Sequence, residues 1–147
     1  MMDAAELARW ACGGFFLTAL VTGVWKYGHI RKSEAASAPV YVDIAHRASF
    51  MYAFSCLVLE RFASLSRWSA EWNFWGVAVS VAFFATALST YLLHGLLRDT
   101  DNQLARPHKL GRGEIPGTLV HGYMVALAIG EIGGFLVVFS GAMWAPA

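Results

Sequence analysis

Four apolar stretches, each long enough to cross a bilayer, constrain this 147-residue chain more than any other feature. They cover roughly residues 10–27, 44–62, 72–97 and 116–144, with short polar segments between them. A helical span needs about 17–25 mainly apolar residues. Within hydrocarbon every backbone polar group has to be satisfied inside the segment, which selects helices here. The expected fold is therefore all-α: an integral membrane four-helix bundle forming a single domain, with membrane lipid as its main solvent. Charged residues make up 14% of the chain, against about 25% in an ordinary soluble domain. The net charge is +1 and no run of Lys or Arg is interleaved with aromatics, so nucleic-acid binding is excluded as a function class.

The second stretch is the least apolar, since His46, Arg47, Glu60 and Arg61 intrude on it. These lie close to its ends, where long side chains reach the headgroups. The first reads as a retained helix and not a cleaved signal. Asp3 and Glu6 make its front acidic, and the polar run 26–34 separates it from Ala36-Ser37-Ala38. Lys and Arg set the orientation. The side carrying both termini and the 2–3 loop holds Arg9, Arg61 and Arg67. The other holds Lys26, Arg31, Lys32, Arg47, Arg98, Arg106, Lys109 and Arg112. This excess predicts cytoplasmic 1–2 and 3–4 loops and both termini on the non-cytoplasmic side, in a bacterial inner membrane. Trp68, Trp72, Trp75 and Trp144 form an aromatic belt at the outer face. Asp43 is placed to cap the second helix, and Pro116 suits the first turn of the fourth. Gly122, Ala126, Gly130 and Gly134 recur every four residues, a spacing that admits a close helix neighbour within or between subunits. Cys12 and Cys56 lie in apolar stretches without metal-ligand spacing and read as small buried side chains.

Histidines carry the strongest chemical signal. His46, His94 and His121 fall just inside three helix ends that this topology places in the cytoplasmic leaflet. An ionisable or ligating residue at membrane depth points to function, and neutral imidazole is a good ligand for haem iron. The alternative for each is a side chain that faces the headgroups. His29 and His108 are placed in polar loops and read as solvated. Tyr91, one turn before His94, either bonds a bound oxygen or belongs to the interfacial belt. Tyr52, about 120° round the second helix from His46, can line a pocket from the side. Glu131, near the middle of the fourth helix, reads as a tie to Thr18, Thr22 or Ser80, or as a proton or substrate group. The polar segment 98–108 has the turn formers and hydrogen-bonding groups of a cap over the bundle mouth. No G-x-S-x-G, H-E-x-x-H or phosphate-cradling loop is present.

These features resemble the small membrane-bound styrene-oxide isomerases. The matching residues are Ala45-His46 near the start of the second helix, Tyr91-Leu92 late in the third, and Gly113-Glu114-Ile115 leading into the fourth. The resemblance implies haem b held by His46 as its iron ligand, a catalytic tyrosine at Tyr91, and a homotrimer with haem near the subunit contacts. It implies conversion of a small hydrophobic substrate such as an aryl epoxide to a carbonyl compound, with Tyr52 helping to position it. The chain departs from that family at Tyr52, which replaces an amide, and at Gly95, which replaces an asparagine. A second resemblance, through His46-Arg47-x-Ser49 and His94-Gly95, is to the membrane anchors of succinate dehydrogenase. It implies a bis-histidine haem-b electron carrier that interacts with quinone, with His46 paired to His121 or His94. A third class, a cofactor-free assembly or transport subunit, leaves the histidines merely interfacial.

Overall fold

A computed structural model describes residues 2–144. Four helices account for most of them: α1 (Ala4–Ile30), α2 (Val40–Leu65), α3 (Ala70–Leu97) and α4 (Gly117–Met143). Each is long and apolar enough to cross a membrane, so the chain is an integral membrane four-helix bundle. α1 and α2 pack as a pair, α3 and α4 as another, and α2 and α3 join the pairs, leaving α1 and α4 at opposite corners.

The helices start where local chemistry allows. Asp3 caps α1 by accepting from the Glu6 N–H at 2.7 Å, and Ser69 caps α3 by accepting from the Trp72 N–H at 3.3 Å. Asp43 does not cap α2, as its sequence position had suggested. The helix begins a turn earlier behind Pro39, and the Asp43 carboxylate lies in the first turn between Lys26 at 2.5 Å and Arg47 at 2.8 Å. Pro116 sits just ahead of α4 at its N-cap position.

The interior is built mainly from small residues. Ala45, Ser49, Ala53 and Cys56 on α2 are buried, as are Ala4, Ala8 and Ala19 on α1. In lipid, helices gain nothing by hiding apolar surface from one another, so close backbone approach supplies the packing. Most large apolar side chains point outward: Leu17, Val24, Met51, Phe54, Ile129 and Ile132 are exposed, whereas Phe15, Leu59, Phe84 and Leu88 are buried. A water-soluble bundle shows the reverse pattern.

The small-residue stripe of α4 splits in two. Gly130 and Gly134 are buried, and a Cβ on Gly134 would lie 2.5 Å from the Gly76 carbonyl of α3. Gly122 has nothing within 4 Å of where its Cβ would be. α3 and α4 are thus closely apposed around Gly76 and Gly134. A cavity of about 280 Å³ opens between them nearer the other end, beside Thr90, His94 and Tyr123.

The segment after α3 folds back as a cap over the helix ends. It carries a hairpin of two-residue strands, β1 (Lys109–Leu110) and β2 (Gly113–Glu114), with Gly111 in the turn at φ +60°. The Gln103 N–H donates to the Tyr41 hydroxyl at 2.6 Å, and the Gly111 N–H donates to Asp99 at 2.5 Å.

Candidate functional site

His46 projects from the second turn of α2 against α1. Its Nδ1 lies 2.9 Å from the Ala19 carbonyl oxygen. A carbonyl only accepts, so Nδ1 carries the proton and Nε2 presents its lone pair. Thr22 donates to the same carbonyl at 3.0 Å, which fixes the acceptor further. The ring fits there because residue 23 is glycine: a Cβ would lie 2.9 Å from His46 Cε1. A carbonyl on one imidazole nitrogen and a free second nitrogen is the arrangement by which metal-ligating histidines are oriented.

An aromatic shelf adjoins this ring on the outer face of the bundle. Phe50, one turn beyond His46, meets it edge-on with centroids 5.2 Å apart, and Phe16 of α1 meets Phe50 at 5.7 Å. Phe54 and Leu20 continue the two stripes one turn on, and all four are exposed. The His46 ring and these apolar side chains thus lie together on the outer face of α1 and α2.

His94 is oriented through Nδ1 by a different partner. It is 5% exposed, its Nδ1 donates to Asp99 at 2.8 Å, and Tyr41 lies against its ring at 5.0 Å. Burial opposes the charge of Asp99. The hydrogen bonds from His94 and the Gly111 N–H outweigh it and hold the carboxyl below its usual pKa. His121 is exposed on α4 with its ring 5.5 Å from that of His108. The three histidines singled out in the sequence therefore do not gather at one point. Among the described residues no cluster of three His, Cys, Asp or Glu side chains is arranged to hold a metal ion.

The two tyrosines face the interior. Tyr52 stacks on Phe84 at 4.7 Å and Tyr91 on Tyr41 at 6.2 Å, and both pack against the buried core. Neither touches the His46 ring, whose neighbours are Ala19, Gly23 and Phe50. Gly95 has a steric reason: a Cβ there would lie 2.9 Å from the Trp25 ring, so no larger residue fits without displacing it.

Three sequence expectations are corrected. His108 is buried, not solvated, because the cap folds it under Gln103, whose carbonyl lies 3.2 Å from its Nδ1. His29 lies in the last turn of α1 and not in a loop. Glu131 is not tied to Thr18, Thr22 or Ser80. Each of those hydroxyls donates to a carbonyl of its own helix, and Glu131 Oε1 is buried without a hydrogen-bond partner. Tyr41 and Asp99, which organise the capped end, had no distinguishing sequence signal beyond the polarity of the segment that meets them.

Comparison with protein-family models, curated proteins and solved structures found nothing that matches this chain.

Proposed function

We propose that this protein is a membrane-bound haem-b epoxide isomerase that converts a small apolar epoxide to a carbonyl compound. One observation carries the reading: the Ala19 carbonyl accepts from His46 Nδ1–H, leaving Nε2 without a hydrogen-bond partner beside an exposed shelf of Phe16, Phe50 and Phe54. Those residues fit an iron ligand and a flat macrocycle. Haem held there by His46 would supply a Lewis acid.

The reaction class asks little else of the chain. Opening the epoxide breaks one carbon–oxygen bond at the better-stabilised carbon. A hydride then migrates from the neighbouring carbon as the carbonyl forms, so no oxidant or reductant is consumed. Tyr91 and Tyr52 orient the substrate and donate hydrogen bonds to the oxygen as charge develops there. The roles of the two tyrosines and a trimeric assembly rest on the resemblance to the styrene-oxide isomerases, since both rings pack inward while the shelf faces outward. In this reading the site lies near the cytoplasmic leaflet, with both termini on the other side. The alternative, a bis-histidine electron carrier, would draw on His94, whose Nδ1 donates to Asp99 and which lines the cavity between α3 and α4.

Turnover tests the chemistry. Haem-loaded protein is expected to convert an aryl epoxide such as styrene oxide to the aldehyde without oxygen or a nicotinamide. Tyr91→Phe is expected to lower kcat about 100-fold with haem still bound, the loss typical of one donor to a developing oxyanion. Haem-loaded protein that rearranges none of a panel of aryl and alkyl epoxides would overturn the isomerase reading.

A further inference from the structure

The largest cleft in the described structure is away from His46. It has a volume of about 800 Å³ and opens where the 1–2 loop meets the ends of α1 and α3. Trp25, His29, Lys32, Arg98 and Asp101 form its walls, with the hydroxyl-bearing Ser33 and Ser37 on one side. Neither Arg98 nor Lys32 has a carboxylate within 4.0 Å among the described residues, although Asp101 shares the cleft. The two cations against one carboxylate leave the cleft positive at neutral pH.

Arg98 is held in an unusual way. Its backbone is left-handed, at φ 50° and ψ 39°, at the C-cap of α3. Glycine or asparagine normally takes that conformation, because a Cβ is strained there. One guanidinium nitrogen lies 3.5 Å from both ring nitrogens of His29. This contact ties Arg98 to α1, and the Trp25 ring lies 5.9 Å from that of His29, tilted by 58°. With no carboxylate partner among the described residues, the other N–H donors of the planar guanidinium remain for a phosphate.

Depth places the cleft at the membrane surface. A 27-residue helix such as α1 is about 40 Å long, while the hydrocarbon core is about 30 Å thick. The ends of α1 and α3 therefore project into the headgroup layer, where basic pockets between helices meet lipid phosphates.

We propose that this cleft binds a phosphate group through Arg98, Lys32 and the serine hydroxyls, and that an anionic phospholipid headgroup supplies it. The proposal is independent of the haem reading. The test is thermal unfolding of the full chain in mixed micelles containing phosphatidylglycerol or phosphatidylcholine, and in detergent with inorganic phosphate against chloride of equal ionic strength. Phosphatidylglycerol is expected to raise Tm by about 5 °C over phosphatidylcholine. The double variant Arg98→Gly/Lys32→Gln should lose that increment. Glycine suits the left-handed backbone, so the fold is retained, and Tm in phosphatidylcholine checks this. Arg67→Gln, at the opposite end of the bundle, should keep the increment. An increment from inorganic phosphate that the double variant loses would support the phosphate site and assign it a soluble ligand. Equal Tm in both lipids with no effect of phosphate, or an increment that survives in the double variant, would overturn the proposal.

Discussion

A single missing Cβ decides whether His46 can act as a ligand. The imidazole rests against Gly23, and its Nδ1 reaches the Ala19 carbonyl one turn earlier on α1. Gly23→Ala would put a methyl group 2.9 Å from Cε1. The ring must then swing away and give up the carbonyl that orients it. Loss of such an orienting partner typically costs 10–100-fold in ligand affinity. Haem content per chain, measured by haemochrome assay at limiting haem, is expected to fall accordingly for Gly23→Ala; unchanged content would mean the contact does not position the ligand. His46 itself was legible in the sequence, because a histidine just inside an apolar helix has few structural reasons to be there. Its partners were not, since the pairing of α1 with α2 is tertiary and a backbone carbonyl leaves no trace in residue type. His108 was misread for a related reason: its chain neighbours are polar, but the cap they form turns its ring inward.

At the scale of elements, hydropathy alone located four helices, and the structure has four that are long and apolar enough to span. Which faces meet was harder to read. Residues four apart rotate by about 40° per step round a helix, so Gly122 and Gly134 point about 120° apart despite their regular spacing. Only the second half of the stripe lies against α3, where Gly134 meets Gly76 and Ser80. This separates two substitutions that look alike in sequence. Gly134→Leu should destabilise the bundle by about 1–3 kcal/mol through overpacking, whereas Gly122→Leu, with open space at its Cβ, should leave the isolated chain nearly unchanged. Reversible unfolding in mixed micelles measures both, and equal losses would contradict the split interface. The 98–116 segment was recognisable as more than a linker from its turn formers. Of its anchors, Asp99 on His94 is local, five residues apart, whereas Tyr41 on Gln103 depends on elements brought together only by folding.

The whole molecule is an inside-out packing problem: small residues join the helices, and most large apolar side chains face the bilayer. The three histidines expected to share one depth have separate partners. His46 stands on the outer face beside an aromatic shelf. His94 serves the capped end and His121 stands beside His108. On the proposed function His46 would be the chain's one iron ligand, which sets the coordination state expected of bound iron. The most direct test is the absorption spectrum of the detergent-purified protein, oxidised and reduced, expressed with haem supplementation beside His46→Ala. The account predicts a Soret band with a high-spin ferric spectrum in the wild type and its loss in the variant. A low-spin spectrum, a band that survives in His46→Ala, or no Soret band at all would contradict it.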